Sequence, residues 1–102
     1  MINNNTRIVN MQDKQSANNE YMKALADIVK YHRKNSAKTI YLASAESAIA
    51  KSNWREIELG QRKNINLSTF CKIAEGLDIT PWELLKELCE KLGKDFSFTD
   101  LD

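Results

Sequence analysis

Residues 54–85 read WREIELGQRKNINLSTFCKIAEGLDITPWELL. Gly60 is predicted to end a helix over residues 51–59, because glycine adopts the left-handed conformation that closes helix C-termini. The polar and basic residues 61–65 show no apolar period, so they predict a loop. A second helix is expected over about residues 67–75. Its buried side would carry Phe70, Ile73, Ala74 and Leu77.

The segment Thr80-Pro81-Trp82-Glu83 carries the strongest local signal of a helix start. Threonine is a favoured N-cap, and proline fits the first helical position because no N–H is needed there. A glutamate three residues after the cap can complete a capping box. Gly93 is expected to close the helix that begins here. Its apolar stripe consists of Leu84, Leu85, Leu88 and Leu92.

Two further helices are predicted upstream. In residues 20–35, side chains recur at i, i+3, i+4 and i+7, which is the spacing of one helical face. These positions are Leu25, Ile28, Val29 and His32. Thr39 is a candidate N-cap for a helix that ends at about Ser47, and residues 48–50 would form a tight turn. The chain is therefore predicted to contain five short helices with brief connections.

The two ends of the chain differ from this helical part. Residues 1–19 are rich in Asn and Gln and show no sustained period, so we expect a flexible arm. Residues 94–102 alternate apolar and polar side chains, which predicts a short strand or a peptide laid across a neighbour. Residues 20–93 would form one helical domain.

The composition fits a single helical domain. The chain has 102 residues, 42% of them apolar and 28% charged, with one Pro and three Gly. Domains cluster at about 100–150 residues, and so few turn-forming residues argue against a sandwich or barrel. We therefore expect an all-α fold. No stretch approaches the ~20 apolar residues that span a bilayer, and no signal peptide is recognisable, so a cytoplasmic location without a membrane partner is expected.

Few residues are suited to catalysis or to metal binding. Cys71 and Cys89 are too far apart for a C-x-x-C motif, and each is expected to pack as a small hydrophobe on a helix. His32 is the single histidine, which excludes zinc sites that need two imidazoles. No glycine-rich phosphate loop and no nucleophile–base spacing is recognisable. We expect no enzyme activity, no cofactor and no metal.

Charge is divided unevenly along the chain. The net charge is +1, but residues 1–63 contain eleven Lys and Arg against six Asp and Glu, a balance of +5. Residues 64–102 contain four against eight, a balance of −4. A basic first part is typical of a protein that presents one face to a polyanion, although chance scatter of surface charge is the simpler alternative.

The stretch quoted first resembles the Cro/CI-type (XRE) helix-turn-helix family of phage repressors and small bacterial regulators. The resemblance covers about residues 21–92 and is strongest in the segments IELG (57–60), NINL (64–67), IAEGL (73–77) and ELL (83–85). It implies a compact five-helix, lambda-repressor-like domain. It also implies a sequence-specific transcriptional regulator that binds double-stranded DNA as a homodimer.

Upstream of this stretch the sequence departs from the family pattern. Ile40 stands where the family usually has a glutamine that binds a phosphate, and Ala48 stands at the turn glycine. The Leu-Ala pair of the family's second helix falls on Ala43-Ser44 in an ungapped alignment, or on Leu42-Ala43 with a one-residue insertion. The helix before the turn is therefore less polar than the family pattern.

The resemblance also implies which residues would contact DNA. In this docking geometry the second helix of the motif enters the major groove, and its N-terminal residues reach base edges. That helix begins near Ala50, and the family places Trp54 and Ile57 in the core and gives Glu58 a structural role. The candidate base contacts are Lys51, Ser52, Asn53, Arg55 and Glu56. The candidate phosphate contacts are Arg62, Lys63, Asn64 and Lys38.

A second copy of the chain is the other expected partner. One module buries only ~600–1,000 Å² on DNA, so two copies on two half-sites are expected. The last helix and the tail carry a wider apolar surface than one core needs. The expected dimer surface consists of Leu85, Leu88, Cys89, Leu92, Phe96 and Phe98. In the alternative, the tail packs back on its own domain.

Two other functions fit the same residues. The protein would be the antitoxin of a toxin–antitoxin pair if the arm or the Phe-rich tail binds a toxin. It would be a protein-interaction module on a degenerate helix-turn-helix if Ile40 and the near-neutral charge mark a lost DNA contact. A toxin-like reading frame beside the gene would favour the first function. A stable co-purifying partner without DNA affinity would favour the second.

Overall fold

Five α-helices make up the described part of the chain. A computed structural model describes residues 20–100, and the flexible arm expected over residues 1–19 lies outside them. The helices are α1 (residues 20–35), α2 (Ile40–Glu46), α3 (Lys51–Glu58), α4 (Leu67–Gly76) and α5 (Pro81–Leu92), followed by a 3-10 turn over Phe98–Asp100. The all-α fold expected from the sequence is confirmed. No strand occurs in residues 20–100, so the strand considered for the tail is wrong.

The core is built from one face of each helix. α1 contributes the fully buried Leu25 and Val29, whereas the short α2 contributes only Ala43 to the buried apolar set. α2 contacts both α3 and α4, and α4 contacts α5. The buried apolar side chains of the later helices are Trp54, Ile57, Phe70, Ile73, Ala74, Leu84 and Leu88, with Leu77 just after α4.

Side-chain caps fix where the helices start. Thr39 Oγ1 accepts a hydrogen bond from a first-turn amide of α2 at 3.0 Å, as expected. The predicted capping box of α5 is confirmed, because Thr80 Oγ1 accepts from Glu83 N at 3.0 Å and Glu83 Oε1 accepts from Thr80 N at 3.2 Å. Asn66 is an additional cap, which accepts from the Thr69 amide at 2.8 Å. These caps satisfy N–H groups that helix starts otherwise leave without partners.

The tail folds back on its own helices. Phe98 packs edge-to-face against Tyr21 of α1, with ring centroids 5.3 Å apart, and Phe96 packs against Phe98 at 4.9 Å. Burial raises the pKa of the Tyr21 phenol. Within residues 94–100, the tail therefore packs on its own domain, which was the alternative to a contact with a second copy.

A buried carboxylate joins α3 to α1. Glu58 is 6% exposed. Its oxygens accept hydrogen bonds from Arg33 Nε at 2.5 Å, Arg33 Nη2 at 2.9 Å and Trp54 Nε1 at 2.6 Å. Arg33 Nη1 donates to the Lys38 carbonyl oxygen at 2.9 Å, and the hydrogen bond to Glu58 raises the pKa of Arg33. Because buried charges are stable only when paired and hydrogen-bonded, this network fixes how α3 lies against α1.

The second and fourth helices approach each other closely at a glycine. A Cβ atom on Gly76 would lie 1.7 Å from Ser47 Oγ and 3.0 Å from the Ala43 carbonyl oxygen. Ser47 is 2% exposed, and its hydroxyl makes no hydrogen bond within residues 20–100. Glycine at position 76 is therefore a steric requirement of the contact between α2 and α4.

Replacing Glu58 with Gln should lower the free energy of unfolding by about 3–5 kcal/mol, because the Arg33 side chain, which is only 13% exposed, is left without a counter-charge. The matched control is Glu56→Gln on the same helix, whose carboxylate is 47% exposed and 3.5 Å from Arg62. Its loss should stay below about 1 kcal/mol. Urea unfolding followed by circular dichroism measures both variants. Equal losses would contradict the structural role of Glu58.

Gly76→Ala should lower the free energy of unfolding by about 1–3 kcal/mol, because the new methyl group overpacks the contact. Ser47→Ala alone should raise it by up to about 1 kcal/mol, since a buried hydroxyl without a partner is unfavourable. In the double variant part of the loss should return, because Ser47 Oγ is the atom nearest the new Cβ. A double-mutant cycle from urea unfolding measures this coupling. Additive effects would show that the two positions are not in contact.

Candidate nucleic-acid interface

The second and third helices form a helix–turn–helix. α2 ends at Glu46 and α3 begins at Lys51, so the turn has four residues, within the usual length of about 3–4. Ile49 N donates to the Ser44 carbonyl oxygen at 3.0 Å and closes the turn. Ala48 adopts a left-handed conformation with φ 56°, which costs about 1–2 kcal/mol for a residue with a Cβ.

The third helix presents a polar face to solvent. Trp54 and Ile57 lie beneath it at 0% and 1% exposure, as the resemblance implies. Ala50 at the N-cap supplies no side-chain hydrogen bond to the first-turn amides. The exposed side chains of the outer face are Lys51, Ser52, Asn53 and Arg55. The helix is therefore held on the core by one side, and its polar side is exposed to solvent.

The loop after α3 extends this surface with more basic residues. Arg62 Nη1 lies 3.5 Å from Glu56 Oε1, a long contact between partly exposed groups. Lys63 and Asn64 are exposed, and Asn64 Oδ1 accepts a hydrogen bond from the Ile65 amide at 2.9 Å. Glu56 therefore faces this basic loop, while the other four candidate base contacts lie on the outer face of α3.

Lys38 does not join this surface, which corrects the expectation from the sequence. Its Nζ donates to Glu46 Oε1 at 2.6 Å, Asp78 Oδ2 at 2.8 Å and the Gly76 carbonyl oxygen at 2.9 Å. These bonds use all three ammonium protons, and the side chain is only 10% exposed. The hydrogen bonds to Asp78 and Glu46 raise the pKa of Lys38. Lys38 therefore ties the start of α2 to the C-terminal ends of α2 and α4.

Lys72 on α4 is an exposed cation that is not among the DNA contacts predicted from the sequence. Its side chain lines a depression together with Asn53 and Arg62. No local motif marks Lys72 as a partner of these residues, because it belongs to another helix. Only the packing of the folded chain brings the three side chains to one place.

The second helix also exposes apolar side chains. Tyr41 and Leu42 are 69% and 42% exposed. Ile40 is half-buried and packs against the core. The position where the family usually carries a phosphate-binding glutamine therefore contributes to packing in this chain.

The expected dimer surface is only partly exposed. Leu88 is 1% exposed and lies in the core, so its assignment to a dimer surface is wrong. It lies one helical turn after Leu84 and faces the same way. Leu92 and Phe96 are half-buried, and Leu92 packs against the core. The exposed members are Leu85 at 41%, Phe98 at 47% and Cys89.

Trp82 adds to this apolar surface. It is 68% exposed and lies three residues before Leu85 on α5. Cys89, expected to pack as a small hydrophobe, is exposed on the same helix, whereas Cys71 is half-buried. Leu85 also lines an apolar groove of about 230 Å³. The other lining residues include Tyr21, Leu67, Phe70 and Phe98.

The candidate interface includes no metal centre. Within residues 20–100, no group of three or more His, Cys, Asp or Glu side chains is placed to hold a metal ion. His32 instead lies with Nε2 2.8 Å from Glu87 Oε1, a contact that joins α1 to α5. None of the described helices is long and apolar enough to cross a membrane.

Ala48→Gly should raise the free energy of unfolding by about 0.5–1 kcal/mol, because glycine adopts the left-handed conformation without strain. The greater conformational freedom of glycine in the unfolded chain offsets the rest of the strain that is relieved. The control is Ala45→Gly in the last turn of α2, which should lower stability by about 0.5–1 kcal/mol. Thermal and urea unfolding measure both variants. A loss of stability in Ala48→Gly would contradict the strained turn.

Comparison with protein-family models, with curated proteins and with solved structures gives no match to this chain. The likeness to the Cro/CI-type family therefore stays a prediction. It rests on the motif of residues 54–85.

Proposed function

We propose that this protein is a sequence-specific DNA-binding transcriptional regulator that reads the major groove with α3. The observation that carries the proposal is the outer face of α3, where polar and basic side chains are exposed while Trp54 and Ile57 hold the helix on the core. The major groove is about 12 Å wide and admits one α-helix. Residues 1–63, which include α3, have a charge balance of +5, and a basic part of the chain favours a polyanion as a partner.

Side chains on α3 match the hydrogen-bonding pattern of base edges. Arg55 and Lys51 can donate to guanine O6 and N7, and Asn53 can pair with adenine N6 and N7. Ser52 can form a hydrogen bond with several bases. Each good bidentate contact discriminates against a wrong base by ~1–3 kcal/mol. One or two such contacts are enough to make binding depend on sequence.

The loop after α3 supplies contacts to the phosphate backbone. Arg62, Lys63 and Asn64 would position the helix on the duplex without reading its sequence. The contact between Arg62 and Glu56 is partly exposed on both sides and 3.5 Å long. A phosphate oxygen can therefore replace the carboxylate as the partner of this guanidinium.

Two copies of the chain would bind two half-sites, because one module covers little DNA. The proposed contact between copies is the outer face of α5. Trp82, Leu85 and Cys89 are exposed there at i, i+3 and i+7, the spacing of one helical face. Phe98 borders this face from the tail.

A protein-interaction module is the second candidate function. The exposed Tyr41 and Leu42 on α2 favour it, since they are apolar and directly follow Ile40, the position where the family usually has a phosphate-binding glutamine. In that case the chain would bind a protein partner with its helix–turn–helix and would have no affinity for DNA.

Fluorescence anisotropy on two duplexes tests the proposal, one from upstream of the protein's own coding sequence and one with that sequence scrambled. The wild type should bind the first duplex more tightly, and binding should weaken steeply between about 50 and 200 mM salt through counterion release. Arg55→Ala should lose ~1–3 kcal/mol, roughly 5- to 150-fold, on the first duplex and less on the scrambled one.

The matched control is Lys94→Ala, which removes an exposed cation from the tail and should leave both affinities close to those of the wild type. Failure of the wild type to bind either duplex at low salt would refute DNA binding. Capture of a stable protein partner that is lost in Tyr41→Ala would then support the second candidate function.

A further inference from the structure

A depression separates α3 from α4 beside the proposed base-reading face. Its volume is about 150 Å³, several times the ~30 Å³ that one water molecule occupies in the liquid. The apolar residues Ala48, Ile49 and Ala50 of the helix–turn–helix form part of its lining. Its polar side chains are Asn53, Arg62, Thr69 and Lys72.

Two cations from different elements meet at this depression. Arg62 comes from the loop after α3, and Lys72 comes from α4. Within residues 20–100, Lys72 makes no ion pair, and Arg62 makes only the 3.5 Å contact with Glu56. Two cations against one carboxylate leave the depression with a net positive charge.

Neutral donors complete the lining. Asn53 supplies a side-chain amide and Thr69 a hydroxyl group. A phosphate group accepts several hydrogen bonds at once, and it is bound in proteins by both guanidinium and ammonium groups. The donors and the charge of the depression therefore match a phosphate better than they match a cation or an apolar ligand.

We infer that this depression binds one phosphate group through Arg62 and Lys72, with Thr69 as an additional donor. The source of this phosphate rests on the proposed function: it is the DNA backbone beside the major groove that α3 enters. Lys72 is then a positioning contact that neutralises a phosphate without reading sequence. Free inorganic phosphate would satisfy the same donors, so the test separates the two sources.

The salt dependence of DNA binding by the full chain provides the first arm of the test. In Lys72→Met the slope of log K against log salt should fall by about 0.9 for each bound copy, or about 1.8 for two copies on two half-sites, equally for the native and the scrambled duplex. From about 50 to 200 mM salt, the wild type should then lose about 3.5 times more affinity than the variant for each bound copy, or about 12 times more for two copies. Lys94→Met, which also removes one exposed cation, should keep the wild-type slope. Equal melting temperatures of the three proteins would confirm that folding is unchanged.

Titration with inorganic phosphate, followed through the amide chemical shifts of Asn53, Thr69 and Lys72, provides the second arm. A wild-type slope in Lys72→Met without phosphate-induced shifts would overturn the site and leave the proposed function intact. A wild-type slope with shifts that disappear in Lys72→Met would overturn the DNA backbone as the source and assign the site to free phosphate. If the wild type binds neither duplex, the proposed function fails. The phosphate site is then supported by phosphate-induced shifts that disappear in Lys72→Met, and it is overturned by their absence in the wild type.

Discussion

The carboxylate of Glu58 makes the contact on which the rest of the structure depends. Three donors from two helices converge on it, and without them a buried carboxylate would carry a desolvation penalty of several kcal/mol. Arg33 also donates to the Lys38 carbonyl oxygen, so the same network fixes the connection into α2. Because Glu58 and Trp54 hold one side of α3 on the core, the side chains of Lys51, Ser52 and Asn53 are left exposed on its outer face.

The helix–turn–helix is fixed from a second side by α4. Lys38 bonds to the ends of both α2 and α4, and Gly76 lets the two helices approach at Ser47. The same helix α4 carries Lys72 to the depression beside α3. The packing that holds α2 in place therefore also sets the distance between the cation on α4 and the polar face of α3.

Much of the helical architecture could be predicted from the sequence because its signals are local. The capping box at Thr80 needs only residues within one turn. Lys38 could not be assigned in this way, because two of its partners lie 38 and 40 residues further along the chain. An apolar stripe also does not show which of its edges meets the core, so Leu88 and Leu85 were assigned to the same surface. The sequence motif predicts the residues on the polar face of α3. It does not predict Lys72, because only the packing of α4 brings Lys72 close to that face.

The two helices of the motif are short, with seven residues in α2 and eight in α3. Isolated helices of fewer than ~12–15 residues are marginal in water, so neither persists without the helices around it. The motif therefore folds and unfolds cooperatively with the whole domain and is not an autonomous unit. By thermodynamic linkage, any partner that binds only the folded form of α3 stabilises the entire domain.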